Sequence, residues 1–319
     1  MNTKLKVLVV LVLLTTVCYF VRERVLDYIH QPLPDFLADT KSCPCDICLS
    51  ESSAWFRRCI NKSVEPVLST RSKLSENDFN WWKRLQHERR DFKFYQDTVA
   101  NLFKLFPSPA DVTKHGPNHY RTCSVVGNSV NLKKSKYGLL IDSHDAVLRM
   151  NSAQVRGYEE DVGRRTTHRI VYPESAVDLD NSTHLVLFPF KIQDIEWANK
   201  AFTTGFFGRS YMPVKSKIVA NKNLVMVIDP AFMKYVHQVW LNGRGQYPST
   251  GFMALILSLH ICDELYVFGY GADKDGNWSH YWEPLRNLHL KTGIHPGSHE
   301  YELIRLLDKE NKIHFYTGS

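Results

Sequence analysis

The chain has 319 residues, 44% of them hydrophobic and 12% aromatic, and carries a formal charge of +7. That is enough for one large globular core with appendages, and too apolar for a disordered chain. The 40 Lys and Arg residues are scattered along the sequence, which argues against a nucleic-acid partner and leaves anionic small ligands or surfaces open.

The N-terminus reads as a targeting segment. Val7 to Val21 holds no charge and is flanked by Lys4, Lys6, Arg22 and Arg24. A spanning helix needs about 17–25 apolar residues, a length within reach if Lys6 snorkels. No small-x-small cleavage site follows, so the pattern is that of an uncleaved signal anchor rather than a signal peptide. Its shortness suits the thin membranes of the early secretory route. The expected organisation is a cytoplasmic tail at 1–6, an anchor at 7–21, a stem at 22–60 and a lumenal domain at 61–319. Three sequons, at Asn61, Asn181 and Asn277, agree with a lumenal domain. So does an even set of cysteines outside the anchor. Cys43, Cys45 and Cys48 form a dense knot, which with Cys59 could hold zinc; an oxidising compartment favours disulfides instead. A Cys45–Cys48 ring would be cramped, so the expected pairs are Cys43–Cys48 and Cys45–Cys59.

Aromatic and apolar residues recur at helical spacing from Phe79 to Phe106, and Pro107 and Pro109 end the run. Three strands follow: Thr122 to Val126, then Gly127-Asn128-Ser129; Ala146 to Met150, then Asn151; and His168 to Tyr172, then Pro173-Glu-Ser175. Leu185 to Phe188 is a fourth strand, followed by a helix from Ile192 to Ala201. Leu224 to Ile228 is a fifth, and Asp229-Pro230 opens a helix to Leu241. Tyr247-Pro-Ser-Thr-Gly251 precedes an apolar helix, Phe252 to Cys262. The strand Glu264 to Phe268 ends in Gly269-Tyr-Gly271, and a long loop runs to Gly297. A helix, Glu300 to Leu307, and a strand, Lys312 to Tyr316, close the chain. Strands alternating with helices predict an α/β fold with a mainly parallel sheet. Ligands then bind at the carboxyl ends of the strands. There Asn128 and Asn151 can donate to phosphate or ribose oxygens, or serve only as turn formers. Ser249, Thr250 and Gly251 start a helix, which makes either an anion site or an ordinary N-cap. Asp178-Leu-Asp180 has a metal-binding spelling but precedes its strand, so it reads as a loop. The first strand lacks the Gly-x-Gly-x-x-Gly of a dinucleotide site.

Cys123-x-Val-Val-Gly-Asn-Ser129, Ile141-Asp-Ser-His-Asp145 and Val147-Leu-Arg-Met-Asn151 together resemble the large sialyl motif of animal sialyltransferases. Tyr247-Pro-Ser-Thr-Gly251, Ser258-Leu-His-Ile-Cys262 and Val267-Phe-Gly269 resemble the small motif. His280-Tyr-Trp-Glu283 is similar to the third motif, and His295-Pro-Gly-Ser-His-Glu300 to the very small one. The four stand in family order over most of Arg121 to Glu300. They look most like the β-galactoside α-2,3-sialyltransferases acting on Galβ1,3GalNAc.

The resemblance implies a Rossmann-like fold of variant GT-A type and transfer of sialic acid from CMP-sialic acid in the Golgi lumen, with no metal. The acceptors implied are Galβ1,3GalNAc-bearing glycoproteins or glycolipids. It implies a Cys123–Cys262 disulfide joining the large and small motifs. It places Asn128, Ser129, Asn151, Tyr172 and Tyr211 on the donor's phosphate and ribose. Ser249, Thr250 and Gly251 line the cytidine side, with Tyr270 and Gly271 over it. Gln86 and Tyr247 fall near the acceptor sugar, His280 at the departing phosphate and His295 at the attacking hydroxyl. The chain departs from the family at Tyr120, where relatives carry a second cysteine, and at Tyr270, where they carry Phe. Two rival readings are a Golgi sulfotransferase, which would want a basic residue just after the first strand, and a non-catalytic glycan-binding protein on the same fold.

Overall fold

Seven strands form one parallel sheet: β1 (Thr122–Val126), β2 (Ala146–Met150), β3 (His168–Val171), β4 (His184–Leu187), β5 (Val225–Val227), β6 (Glu264–Phe268) and β7 (His314–Tyr316). This computed structural model describes residues 52–108, 121–283 and 293–318. The strand order is β5-β4-β3-β2-β1-β6-β7, and every pairing is parallel. The chain winds outward from β1 to β5, then crosses back to lay β6 on the other side of β1. That reversal is a topological switch point, where open α/β sheets leave a crevice at the strands' carboxyl ends. The fold is the predicted α/β class, with a wholly parallel sheet among the described residues.

Both faces of the sheet are covered, as a parallel sheet requires. Side chains alternate along the strands: Val125 and Leu148 join one apolar cluster, Val126 and Val147 the other. Over the first face lies α8 (Thr250–Ile261), buried along nearly its whole length. It contacts β1, β2, β3 and β6. A helix apolar all round is a helix buried all round. Against the other face sits α4 (Gly138–Ser143), whose Ile141 packs with Val126 and Val147. Cys123 in β1 and Cys262, just after α8, are disulfide-bonded.

The helical stripe at 79–106 is two helices. α2 (Glu76–Trp82) and α3 (Phe92–Leu105) are separated by a turn. Asp91 starts α3 by accepting the Phe94 N–H at 2.8 Å. In the turn, Glu88 points inward to Arg90 and to the Ile192 N–H. Burial would raise its carboxyl pKa, but those bonds dominate and hold it at about 2. α2 packs on α7 (Pro230–Tyr235), α3 on α6 (Ile192–Ala201). The Trp82 indole donates to Pro189 O at 2.8 Å, fixing the turn that carries Gln86 over the sheet. The helix expected to run to Leu241 is α-helical only to Tyr235 and continues as a wider π turn, Val236–Trp240. The last helix, α9, begins at Gly297, three residues ahead of expectation.

Two expectations about the surface need correction. Cys59, at the end of α1 (Ala54–Cys59), is a free thiol only 6% exposed in the core. The expected Cys45–Cys59 pair is therefore not formed, because the helix turns this side chain inward. Asn277 is also buried, and its amide donates to Asp273 at 3.0 Å, so the folded chain does not present that sequon. Asn61 and Asn181 are exposed. Cys43, Cys45, Cys48 and the expected anchor lie outside the described residues. No helix among the described residues is long and apolar enough to cross a membrane.

Candidate active site

A cleft of about 370 Å³ opens at the carboxyl ends of β1, β2 and β6, at the switch point. Its floor is backbone. Gly127 donates to Phe268 O at 2.7 Å, and Ser129 N–H to Gly269 O at 3.0 Å. A β-carbon on Gly127 would lie 2.1 Å from Gly269 O, so only glycine lets the two loops meet. The Ser129 hydroxyl donates to Gly271 O at 2.8 Å, and Asn131 donates to Tyr270 O and Ala272 O. The Tyr270 hydroxyl donates to Gly251 O at 2.8 Å. The hydroxyl thus ties the loop after β6 to the start of α8.

Asn128 donates to Met150 O at 3.2 Å, and its Oδ1 is buried without a partner. Asn151 sits just past β2 at φ +57°, with its own Oδ1 buried and unpartnered. Buried polar atoms without partners are costly. Two of them lining one cleft mark where a polar ligand would bind. Ser249 caps α8, accepting the Phe252 N–H at 3.1 Å. Its N–H and hydroxyl in turn donate to the two carboxylate oxygens of Glu300, at 2.7 and 2.6 Å. Glu300 is 6% exposed; burial raises its pKa, and the Ser249 bonds only partly oppose that.

The other end of the cleft is aromatic. Gln86 donates to the Tyr247 hydroxyl at 3.0 Å. Phe190 packs between Tyr247 and Tyr172, at ring distances of 5.1 and 6.2 Å. Lys191 bridges Glu174 and Asp194 and lies under the Tyr211 ring. Burial alone would lower the Lys191 pKa, but the two carboxylates outweigh it and raise it. Asp194, more deeply buried, is pushed up to about 6. Tyr211 is itself exposed at the rim, with its pKa raised by desolvation and then by Tyr172.

The two histidines differ in how they are held. His295 Nδ1 lies 3.1 Å from Tyr247 O. A carbonyl only accepts, so Nδ1 carries the proton and Nε2 the lone pair. Burial lowers the His295 pKa, against the opposing bond to Tyr247, and so favours the neutral ring. His280 donates from Nδ1 to Glu283 at 2.8 Å and stacks on Trp282 at 4.6 Å. Its backbone bridges to Ser129, which brings it beside the loop that follows β1. His299 turns away, toward Arg244 and Glu302.

The structure therefore gathers around one cleft Gln86, Asn128, Ser129, Asn151, Tyr172, Tyr211, Tyr247, Ser249, Thr250, Gly251, Tyr270, Gly271, His280 and His295. Asp178 and Asp180 stay outside it: Asp178 pairs with Lys215, and Asp180 caps Ser182 and Thr183. Among the described residues no group of three or more His, Cys, Asp or Glu could hold a metal ion. Sequence reasoning missed the supporting roles of Glu300, Phe190 and the Glu174–Lys191–Asp194 cluster. Glu300 was visible as the last residue of its motif, but its partner Ser249 lies 51 positions away.

Residues 67–312 match Glycosyltransferase family 29 (sialyltransferase). The chain belongs to this family. It is 46% identical over 285 residues to the mouse CMP-N-acetylneuraminate-beta-galactosamide-alpha-2,3-sialyltransferase 1, covering 88% of this chain and 84% of that protein. The human protein of the same name is 43% identical over 284 residues, covering 87% of this chain and 83% of that protein. A crystal structure of a mammalian sialyltransferase superposes with a TM-score of 0.80 at 43% identity, over 88% of this chain and 99% of that one. A second, in complex with Gal-beta-1-3GalNAc-ortho-nitrophenol, gives the same TM-score and coverage at 42% identity. Membership in a sialyltransferase family sets aside the sulfotransferase reading. The four motifs thus converge on one family 29 cleft.

Proposed function

We propose that this enzyme transfers sialic acid from CMP-sialic acid to the 3-hydroxyl of terminal galactose in Galβ1,3GalNAc, with inversion and without a metal ion. The observation that carries the reading is His295. Its tautomer is set by Tyr247 O, with the lone pair on Nε2, in the same cleft as the Gln86–Tyr247 pair. Gln86 and Tyr247 hold the galactose so that O3 faces the anomeric carbon of the donor. As the O3–C2 bond forms and the C2–O phosphate bond breaks, His295 Nε2 takes the O3 proton and CMP leaves with the electron pair. The Nδ1–H bond to Tyr247 O strengthens as the ring becomes cationic. One base and no enzyme nucleophile make a direct displacement, hence inversion.

The departing phosphate is received by His280, oriented by Glu283, and by amide groups of Asn128 and Asn151. CMP leaves with a single phosphate, a charge that these donors and the tyrosines at 172 and 211 can meet. The relatives' names and the acceptor in the solved complex support the α-2,3 linkage to Galβ1,3GalNAc. O-linked glycoproteins and glycolipids both present that disaccharide. We infer a Golgi enzyme of type II topology, with residues 7–21 as anchor and the catalytic domain lumenal. The support is the uncharged N-terminal segment with basic flanks, the sequons and the Cys123–Cys262 disulfide. His295→Ala tests the base assignment. It should keep CMP binding while kcat falls by roughly 10²–10⁴; near-normal kcat in this variant, with loss in His299→Ala, would reassign the base.

A further inference from the structure

The turn after β2 is gripped from beneath by a residue outside the motif segments quoted above. Arg169 in β3 is buried and stands opposite Arg149 in β2 as its cross-strand partner. Neither guanidinium forms an ion pair with a carboxylate among the described residues. Arg149 serves as scaffolding on one side through Nε and Nη2, donating to Val162 O, Arg165 O and Thr166 Oγ1, while its Nη1 is buried without a partner. Arg169 points at the turn: its Nη1 donates to Asn151 O at 3.1 Å and to Ala153 O at 3.4 Å. Both of those residues have positive φ, +57° and +21°. Left-handed backbone at non-glycine residues persists only where surrounding contacts hold it. The next carbonyl, Gln154 O, accepts from the Tyr281 hydroxyl, so the third motif grips the same turn.

The consequence falls on Asn151. With its backbone carbonyl held inward, its side chain stays at the cleft, where Oδ1 is buried and without a partner. We propose that Arg169 is a positioning residue for the donor's phosphate, acting through Asn151. This rests on the proposed use of a CMP donor. Without the guanidinium the turn relaxes toward ordinary φ, and the Asn151 side chain leaves the position in which it meets the phosphate. An Arg that merely fills the core would support every part of the nucleotide site alike. A positioning Arg supports the phosphate and spares the nucleoside.

The test is calorimetric titration of the full-length protein with CMP and, separately, with cytidine. The chains compared are wild type, Arg169→Met, Arg169→Lys, Asn151→Ala and Asn151→Ala with Arg169→Met. Wild type binding CMP supports the donor assignment itself, and its failure to bind would refute that assignment and this inference together. Given CMP binding, Arg169→Met should weaken CMP roughly tenfold, the scale of a charge-assisted hydrogen bond, and change cytidine by less than about twofold. In the Asn151→Ala background the same change should cost CMP less than about twofold, because the pair acts as a unit. Arg169→Lys keeps the charge but not the fork, and should fall between wild type and Met. It also serves as the reading if Arg169→Met does not melt cooperatively. Equal weakening of CMP and cytidine, or a full Arg169→Met effect without Asn151, would overturn the inference and leave the donor assignment standing.

Discussion

Glu300→Gln separates support of the donor site from chemistry within it. In the native chain one carboxylate accepts both the N–H and the hydroxyl of Ser249, at 2.7 and 2.6 Å, and Ser249 accepts from Phe252 to start α8. Gln can still accept the N–H through Oε1. Its Nε2 then faces the Ser249 hydroxyl as a donor, and that hydroxyl must reverse and lose its acceptor. Two charge-assisted bonds, about 1.5–3 kcal/mol each, are replaced by neutral ones of about 0.5–1.5. Against this, burial already disfavours the ionised carboxylate, so a neutral side chain recovers part of the loss. A net cost of about 1–2 kcal/mol follows. In a domain of this size that lowers Tm by roughly 2–8 °C, at about 2–4 °C per kcal/mol. With Ser249, Thr250 and Gly251 lining the cleft and assigned to the cytidine side by the family resemblance, the donor KM should rise roughly three- to tenfold with kcat little changed. Glu300→Ala strands both Ser249 donors and should cost a further ~1–3 kcal/mol. Thermal melts and donor-saturation kinetics read both numbers. An unchanged Tm and donor KM in Glu300→Gln would refute the reasoning. So would a hundredfold loss of kcat at constant KM, which would put Glu300 in the chemistry.

Acid should act on rate and on stability separately. Burial lowers the His295 pKa, so kcat/KM should keep its plateau down to below about 6.5 before the acid limb begins; a limb starting above that value would contradict the burial argument. His144 and His260 are buried neutral, both pushed down to about 4 by burial. Below pH 6.5 the unfolded chain binds more protons than the folded one, so stability falls on acidification from about 6.5 to about 4. The slope is at most ~1.4 kcal/mol per pH unit per histidine, and urea midpoints at pH 7 and pH 5 check it. Replacing Cys123 and Cys262 with Ser should cost about 2–5 kcal/mol, read by urea unfolding. Activity should survive EDTA; loss in chelator with recovery on manganese would overturn the metal-free mechanism.

Much of this was legible because it is local. β-branched runs ending in Gly or Asn gave the strands, and Ser249 and Asp229 mark their helix starts as N-caps do. What escaped depends on distant pairings. The reversal that puts β6 beside β1 is a property of the whole winding, and it makes Gly127 and Gly269 meet. The break between α2 and α3 escaped because the aromatic spacing continues through it; Asp91 was the signal for it. Cys59 and Asn277 look available in sequence and are buried by what packs on them. Arg169 carries no mark at all: its meaning comes from two carbonyls on the neighbouring strand's turn.

The measurement that bears most directly on the central claim is the linkage of the product. The full-length protein is incubated with CMP-sialic acid and an equimolar panel of Galβ1,3GalNAc and Galβ1,4GlcNAc, and the product is resolved by NMR. The account predicts an α-2,3 bond to galactose, inverted from the β-linked donor, formed on Galβ1,3GalNAc in preference. A product linked α-2,6, or one that retains the donor's anomeric configuration, would contradict it.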